Sequence, residues 1–374
     1  MTAVLVIFLM HCGPSKPDAE VSTIVLKENP KFIDLDPVKV KSVDINTIIY
    51  PDISLHGDKI MVPGVSLKEK NKHLLYLYDM NLEKVYEKTF PSGLGPGDLL
   101  GAPVFISAGE QIYVSDHTQQ RVNIFDRNFN FIKFVKCNFY ASSARFSPDG
   151  KYFIYCRWSP GKYGPTSFFS VYLATFPDLE EKLIHSFPEF HHYLEEKKEL
   201  FLGMGGIHYF LRNDKIYLLN KDNYLLTMRN TSGKIEKQVQ VAVEKISISK
   251  AMEEQWLKEH MIANPSLKGL KVKLKFPDYV QPCAWMVPLE KGFVVIRRQG
   301  YGVSCQGLVE ADYFDYDLNL LGKTEFPCFN EIYTLRGYFF LRSCAEKDGI
   351  LYLVNTIEKD NGEFIVLEKW KISE

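Results

Sequence analysis

A five-residue pattern recurs along the chain: an aromatic residue, Asp, any residue, Asn and an apolar residue. Its clearest copies span 78–82, 125–129 and 316–320. Asp and Asn tolerate the backbone angles of tight turns and hydrogen-bond to their own main chain, and the flanking segments alternate apolar and polar residues as strands do. Each copy therefore predicts a β-hairpin whose turn is anchored by an Asp. The three anchors are Asp79, Asp126 and Asp317.

The hairpins repeat at a nearly constant interval. Weaker copies lie at 171–184, 225–239 and 365–372, and the six copies are about 50 residues apart, except for one interval of about 90. A second strand with its own turn precedes each hairpin, and these strands begin near Asp58, Glu110, Gly150, Asp214, Lys291 and Asp348. A strand repeat of this period predicts an all-β fold, a six-bladed β-propeller that spans residues 35–374.

The composition is consistent with this fold and excludes one class of function. Aromatic residues make up 14% of the chain and favour strands. Tyr78, Phe125 and Tyr316 hold the same place before the hairpin Asp, so we interpret most aromatic side chains as packing between blades. The 45 Lys and Arg residues balance 46 Asp and Glu residues, and a chain with no basic excess is not expected to bind nucleic acid.

Three segments resemble parts of known propeller families. Residues 112–131 resemble an NHL-type repeat, and residues 144–155 resemble a TolB-type repeat through their Ser-Pro-Asp-Gly turn. Residues 92–99 resemble the Gly-x-Gly-Pro-Gly-Glu-Phe segment of bacterial six-bladed propeller lipoproteins, with Asp98 and Leu99 in place of Glu and Phe. This Gly-rich segment lacks the Lys and the helix of a phosphate-binding loop, so we interpret it as a connection. The resemblance implies a TolB-like, six-bladed propeller lipoprotein.

The amino terminus resembles the signal segment of a bacterial lipoprotein. Residues 2–10 are apolar but too few to span a bilayer as a helix, and the four residues that end at Cys12 resemble a lipobox. The resemblance implies a signal segment at 1–12, a lipid on Cys12 and a polar tether at 13–34. It also implies a membrane-anchored protein of the bacterial cell envelope that faces the periplasm or the cell surface. An uncleaved anchor is the alternative.

Two segments interrupt the strand pattern and are predicted to be helical insertions, at 188–202 and 249–264. Ser249 is a suitable N-cap for the second helix, and Pro265 would end it. This insertion accounts for the one long interval between hairpins. Because insertions on propellers emerge at one end of the blades, we expect both helices to cover part of the propeller.

Six cysteines follow Cys12, and none of them forms the Cys-x-x-Cys pair typical of zinc or redox sites. Their pairing cannot be read from the sequence, so disulfides and buried free thiols both stay open. They are Cys137, Cys156, Cys283, Cys305, Cys328 and Cys344.

Few residues are candidates for ligand binding. Arg297 and Arg298 follow an apolar strand whose end is expected near the channel, where a guanidinium would bind an anionic ligand; a surface or inter-blade ion pair is the alternative. Trp285 is interpreted either as a stacking platform or as a core residue. No catalytic residue, metal ligand or cofactor is predicted, because the sequence contains neither a Gly-x-Ser-x-Gly elbow nor a His-Glu-x-x-His pattern.

These observations predict a non-enzymatic cell-envelope propeller that binds a protein, peptide or glycan on one face of the disc. Loops at one end of a rigid scaffold supply the contacts of such a protein. Two alternatives stay open, because fold does not give function. One is a metal-dependent hydrolase, lactonase or lyase with a divalent cation in the central channel. The other is a structural subunit of a membrane-surface complex.

Overall fold

The computed structural model describes residues 21–25, 31–33, 35, 37–44, 48–49, 53–65, 72–100, 103–116, 118–137, 142–147, 150–159, 168–176, 178, 180–188, 193–194, 199–201, 207–254, 273–276, 278–297, 308–327, 344–359 and 362–373. Strands dominate this part of the chain. Within it, no helix is both long and apolar enough to cross a membrane.

The strands form six small antiparallel sheets, which are the blades of a six-bladed β-propeller, as the repeat predicted. The chain starts with β1 (Val21–Val25) and β2 (Val38–Asp44), which join later blades. Blade 1 contains β3 (Ile48–Ile49), β4 (Ser54–His56), β5 (Lys59–Val65), β6 (His73–Asp79) and β7 (Lys84–Phe90). Blade 2 contains β8 (Val104–Ala108), β9 (Gln111–Asp116), β10 (Arg121–Asp126) and β11 (Phe131–Lys136). Blade 3 contains β12 (Ser142–Phe146), β13 (Tyr152–Ser159), β14 (Phe168–Thr175) and β15 (Glu180–Pro188).

Three further blades follow a two-stranded insertion, β16 (Tyr193–Leu194) and β17 (Glu199–Phe201). Blade 4 contains β18 (Ile207–Arg212), β19 (Lys215–Asn220), β20 (Leu225–Asn230) and β21 (Ile235–Ala242). The strand β22 (Lys273–Lys275) then precedes blade 5, which contains β23 (Cys283–Pro288), β24 (Gly292–Arg297), β25 (Leu308–Asp315) and β26 (Leu320–Pro327). Blade 6 contains β27 (Cys344–Lys347), β28 (Ile350–Lys359) and β29 (Gly362–Lys371). The innermost strand is β4 in blade 1 and the first strand along the chain in each other blade, and it contacts the innermost strand of a neighbouring blade.

The two ends of the chain meet in blade 6 and close the ring. The N-terminal strand β2 pairs antiparallel with β29 and is the outermost strand of this blade. Glu368 on β29 is buried, accepts a hydrogen bond from the indole N–H of Trp370 (3.0 Å) and pairs with the Lys39 ammonium of β2 (2.5 Å). A buried carboxylate needs such partners, so this contact ties the closing strand to the blade.

The segment predicted to be a tether at 13–34 is docked where the structure describes it. Strand β1 pairs in parallel with β21 as a fifth strand of blade 4. Further along, Ile33 N–H donates to the Lys323 carbonyl of blade 5 (2.7 Å), and Lys323 N–H donates to the Lys31 carbonyl (2.9 Å). Within the predicted tether, 21–25 and 31–33 therefore pair with blades 4 and 5, because the unpaired backbone of the outer strands offers hydrogen bonds to this segment.

The turns between the last two strands of several blades share one hydrogen-bonding scheme. In blade 1, a carboxylate oxygen of Asp79 accepts hydrogen bonds from the backbone N–H groups of Asn81 (2.8 Å) and Glu83 (2.9 Å), while Leu82 adopts a left-handed conformation (φ 61°). This is the self-capping turn expected of Asp and Asn. In four blades the first turn residue accepts the backbone N–H four residues on, and these residues are Asp79, Asp126, Asn230 and Asp315.

In blade 5 the turn begins two residues earlier than the sequence pattern indicates. Asp315 accepts the backbone N–H groups of Asp317 (3.0 Å) and Asn319 (2.8 Å), and Leu318 is the left-handed residue (φ 58°). The assignment of Asp317 as the anchor was therefore wrong, and Phe314 rather than Tyr316 precedes the anchor. The register anchored at Asp315 departs from the pattern only in having Asp317 in place of Asn, and Asp also suits a turn, so the pattern pointed to the wrong register.

Aromatic side chains pack between neighbouring blades, as interpreted from the repeat. Between blades 4 and 5, the ring of Phe210 lies 5.6 Å from that of Phe293, which in turn stacks on Phe314 at 5.4 Å. Such pairs add to the free energy gained by burying their apolar surface. The six clusters of buried apolar residues together form the core of the disc.

The prediction of a helix at 188–202 is wrong, because the described residues of this segment lie in strands. Strand β15 continues to Pro188, β16 and β17 pair with each other, and β17 pairs in parallel with β22. Pairing with a distant segment thus overrides the local helical pattern. At the second insertion, residues 250–254 are helical, and the Ser249 hydroxyl accepts the Met252 N–H (3.3 Å) as an N-cap. Residues 255–264 lie outside the described part of the chain.

The Gly-rich segment 92–99 is a connection between blades 1 and 2, as predicted. The Asp98 carboxylate accepts the Gly95 N–H (2.9 Å), and a Cβ atom at Gly93 would clash with that carboxylate. The buried Arg121 guanidinium donates to the carbonyls of Gly95 (2.8 Å) and Asp98 (2.7 Å). These contacts fix the segment against blade 2.

Three of the cysteines whose pairing the sequence left open are buried thiols that form no disulfide: Cys137, Cys156 and Cys283. Burial raises the pKa of Cys156 to about 12, because an apolar environment disfavours the thiolate. Cys305 and Cys328 lie outside the described residues, and the structure does not describe the side chain of Cys344.

Candidate functional site

The two faces of the disc differ in the length of their connections. Because the strands of a blade alternate in direction, the turns between its first and second strands and between its third and fourth strands lie on one face. These turns are short, as at 57–58 and 213–214, and we name this side the short-turn face. The opposite side, the loop-rich face, carries the connections between second and third strands and between blades. The strand ends on this side are joined by the longest segments between successive strands of the blades, which are 91–103, 189–206, 243–282, 298–307 and 328–343.

Trp285 lies on β23, the innermost strand of blade 5, and is half-buried. Its indole contacts blade 4 through the His208 ring, edge to face at 5.4 Å, and through the Lys221 ammonium, 4.7 Å from the centre of the indole ring. The second contact is a cation–π interaction. Trp285 also packs against the apolar cluster shared with blade 6. The Trp285 side chain is therefore anchored against the core on one side and keeps part of its surface exposed.

A buried carboxylate follows Lys221 in the turn 221–224 on the loop-rich face. One oxygen of Asp222 accepts a hydrogen bond from the side-chain amide of Gln281 (2.6 Å). The other oxygen, Oδ2, is buried and has no hydrogen-bond partner among the residues that the structure describes. Burial raises the pKa of Asp222, against the opposing effects of the Gln281 hydrogen bond and the nearby Lys221 charge.

Two exposed apolar side chains lie on the connection 243–282, which joins blade 4 to blade 5. The segment around Ile246 pairs antiparallel with the segment that enters β23, through a hydrogen bond from Val280 N–H to the Ile246 carbonyl (2.8 Å) and a bridge between Ser247 and Tyr279. The side chains of Ile246 and Tyr279 remain 42% and 45% exposed. The Lys245 ammonium lies 5.0 Å from the centre of the Tyr279 ring. The exposed ring of Tyr279 thus extends from a hydrogen-bonded backbone segment two residues before Gln281.

Arg297, the first predicted anion-binding residue, is paired within the protein. Its guanidinium donates two hydrogen bonds to the buried Asp312 (2.9 and 2.7 Å) and forms an ion pair with Glu310 (2.8 Å). Tyr224 of blade 4 donates to the same Asp312 carboxylate (2.6 Å). Two carboxylates next to one guanidinium repel a further anion, so Arg297 is held in an ion pair within blade 5, to which blade 4 adds the Tyr224 hydrogen bond. Arg298 lies outside the described residues.

No sequence pattern marked Lys221, Asp222, Gln281 or Tyr279 as site residues. The turn 221–224 is typical of an ordinary polar turn, and 279–281 is typical of a loop before a strand. Asp222 and Gln281 meet only because blade 4 lies next to blade 5. Among the described residues, no group of three or more His, Cys, Asp and Glu side chains could hold a metal ion.

Comparisons with known proteins identify the fold. No family model matches the sequence, and no curated protein matches it. The structure of a member of the DUF4221 family from Bacteroides vulgatus superposes with a TM-score of 0.54 at 12% identity, over 91% of this chain and 98% of that one. A candidate exported protein from Bacteroides fragilis superposes with a TM-score of 0.50 at 11% identity, over 94% of this chain and 100% of that one. At such low identity the likeness extends to the fold alone.

Proposed function

We propose that this protein is a cell-envelope propeller that binds a protein, peptide or glycan ligand on its loop-rich face. The observation that carries the proposal is the asymmetry of the disc. The long connections gather on one face, and the half-buried Trp285 and the half-satisfied Asp222 lie beside them. Binding residues are commonly found on loops that a rigid scaffold positions.

The envelope location is supported by the N-terminal segment and by a structural neighbour. Residues 1–12 resemble a lipoprotein signal segment, and Cys12 is the residue that would carry the lipid. One similar structure is that of a candidate exported protein. Replacing the anchor tests this part of the proposal: Cys12→Ala is expected to move the chain from the membrane fraction to the soluble fraction, and unchanged partitioning would contradict the anchor.

The binding face can be tested by photo-crosslinking in bacteria that express the full chain. Asn223 lies in a turn on the loop-rich face and Asn128 in a turn on the short-turn face, and both are exposed. A photoreactive amino acid placed at position 223 is expected to give a covalent adduct of defined mass. The same residue at position 128 is the matched control and is expected to give none. Adducts formed from position 128 alone, or from neither position, would contradict the proposal.

A further inference from the structure

We infer that the outer edge of blade 2 binds an extended acidic segment of a partner protein, which adds to β11 as a fifth strand. This inference goes beyond the proposed function, because the outer edge of a blade is separate from the loop-rich face. Three features carry it: a fifth strand that is present on blade 4, a backbone edge of the same geometry on blade 2, and exposed apolar and basic side chains along that edge.

Blade 4 shows how a blade of this protein takes up a further strand. Its outer strand β21 pairs in parallel with β1, from Gln238 to Ala242. The Val241 N–H donates to the Tyr224 carbonyl, just before β20 (3.1 Å). Successive residues of a strand in an antiparallel pair direct their backbone groups alternately towards the partner strand and away from it. Gln238 and Gln240 therefore direct their N–H and C=O groups outward, where β1 pairs with them.

The outer strand of blade 2 has the same geometry, but no described residue pairs with its outer side. The Cys137 N–H donates to the Gln120 carbonyl (2.8 Å), and Gln120 has the same left-handed backbone conformation as Tyr224 (φ 51° in both). By the same alternation, Phe134 and Lys136 direct their backbone N–H and C=O groups outward. These two residues hold the places that the two glutamines hold on β21.

A β-bulge limits the edge to four residues. Lys133 pairs with Ile124 and Phe131 pairs with Phe125, so Ile132 is an extra residue in β11. The pairing is regular from 133 to 136. On β21 the pairing with β1 likewise lies beyond a shift in register. An added strand would therefore pair with 133–136, at the end of β11 remote from the turn that holds Asn128.

The side chains along this edge are apolar or basic. Ile132 and Phe134 are 48% and 41% exposed, and the buried Arg121 guanidinium lies 5.1 Å from the centre of the Phe134 ring. Lys133 and Lys136 are exposed, and neither forms a hydrogen bond or an ion pair with any described residue. An exposed strand edge with apolar side chains is a template for pairing with another extended chain.

The acidic side chains of blade 2 and of the connection before it already have partners within the protein. Glu110 pairs with Arg127, and the three aspartates accept backbone N–H groups. These acidic residues are Asp98, Glu110, Asp116 and Asp126. Lys88 of blade 1 adds a further positive charge near Asp126. The two lysines of β11 therefore have no internal counter-ion and favour a ligand that carries negative charges.

The other edges suit an acidic strand less well. Strand β7 carries Glu87 between two lysines, and β15 begins with Glu180 and Glu181. The outer strands of blades 4, 5 and 6 already pair with N-terminal segments of this chain. A second copy of the chain is a poor partner for β11, because two β11 strands would bring four lysines together without a counter-ion. An acidic segment of another protein remains as the occupant.

The order of side chains on β11 specifies the segment. The four residues of an added strand lie opposite Lys133, Phe134, Val135 and Lys136 in turn, as the residues of β1 lie opposite those of β21. Opposite charges and apolar pairs stabilise such cross-strand neighbours. The segment therefore has the order acidic, apolar, apolar, acidic, which is the same in both strand directions.

The test measures binding of a fluorescent peptide, Thr-Thr-Glu-Val-Ile-Glu-Thr-Thr, to the purified full chain by fluorescence anisotropy at about 150 mM salt. The wild type is expected to bind it at least about tenfold more tightly than a peptide with Lys in place of both Glu. The double variant Lys133→Glu and Lys136→Glu is expected to reverse this preference. Lys84→Glu with Lys88→Glu is the matched control, since it changes the net charge equally on the outer strand of blade 1. Its binding is expected to equal that of the wild type.

Lys136→Pro tests the backbone contact separately from the charge. Proline removes the outward N–H of this position and leaves the pairing with β10 in place, as edge strands tolerate. It is expected to abolish binding that Lys136→Gln only weakens, because Gln keeps the N–H group. Thermal unfolding verifies that all variants fold.

Three results would overturn the inference. Absence of binding of the acidic peptide at about 1 mM would exclude the ligand class. Equal binding by the wild type and by the Lys133→Glu and Lys136→Glu double variant would place the peptide elsewhere. A dimer that sedimentation detects for the wild type and that this double variant loses would show that a second copy occupies the edge. None of these results depends on the adduct at position 223, so this site and the proposed binding face can fail separately.

Discussion

Arg297 and Asp312 form a bidentate ion pair on adjacent strands of blade 5, and Tyr224 of blade 4 donates a third hydrogen bond to the same carboxylate. Asp312 and Tyr224 are fully buried. Burial and the neighbouring Asp312 charge raise the pKa of Tyr224 well above its usual value, so its hydroxyl stays protonated and acts as a donor. The Asp312 carboxylate therefore connects blade 5 to blade 4.

Removing this carboxylate is expected to destabilise the propeller strongly. Asp312→Ala would leave the Arg297 guanidinium with one fewer anion and the buried Tyr224 hydroxyl without an acceptor. Breaking a buried ion pair by removing one partner costs about 3–5 kcal/mol. Urea unfolding monitored by circular dichroism measures the change in the free energy of unfolding. The exposed Asp178 is a control, for which Asp178→Ala is expected to stay within about 0.5 kcal/mol of the wild type.

The register of the blade 5 turn gives a second prediction. Asp315 accepts two backbone N–H groups, whereas Asp317 takes the place of Asn81 and is exposed. Asp315→Ala is therefore expected to lower the free energy of unfolding by about 1–2 kcal/mol, as the loss of such hydrogen bonds does. Asp317→Ala is expected to change it by no more than about 0.5 kcal/mol. If both variants lowered the free energy of unfolding equally in the same assay, the assignment of Asp315 as the anchor of the turn would be contradicted.

Stability is expected to fall as the pH is lowered from 7 towards 4. Burial, with a smaller effect from the Arg229 charge, lowers the pKa of His185 from 6.5 to about 4. The unfolded chain therefore binds a proton between these values that the folded chain does not, and the folded state loses at most about 3 kcal/mol across this range. Burial also lowers the pKa values of His56 and His73, which act in the same direction.

Replacing His185 isolates its share of this pH dependence. In His185→Gln, the free energy of unfolding, measured in urea at several pH values, is expected to vary less between pH 6.5 and 4 than in the wild type. A variant whose pH profile coincides with that of the wild type would show that His185 is not the titrating group.

The buried thiols are expected to be unreactive in the folded protein. Cys137, Cys156 and Cys283 are 0–4% exposed, and the raised pKa of Cys156 leaves almost no thiolate at pH 8. Alkylation by iodoacetamide, followed residue by residue with mass spectrometry, should modify them only after denaturation. Rapid modification of Cys156 in the native state would mean that blade 3 opens in solution.

Much of the fold could be predicted from local chemistry, because each turn carries its own signal. Asp79 and Asp126 cap their turns by themselves, so the hairpins were visible before any tertiary contact was known. Where two registers were locally similar, as at Asp315 and Asp317, the pairing of β25 with β26 decided between them. The segment 188–202 was mistaken for a helix for a similar reason, since its partner strand β22 lies about 70 residues further along the chain.

The sequence by itself determined the all-β class, the number of blades and the chemistry of the turns, because these follow from hydrogen bonds and side-chain alternation over a few residues. Only the tertiary structure decided which side chains form the candidate site. Asp222 and Gln281 are 59 residues apart, and their hydrogen bond exists because blade 5 packs next to blade 4. Arg297 pairs with Asp312 across two strands of blade 5, and the neighbouring blade adds Tyr224 as a further donor to that carboxylate, so Arg297 is part of the scaffold.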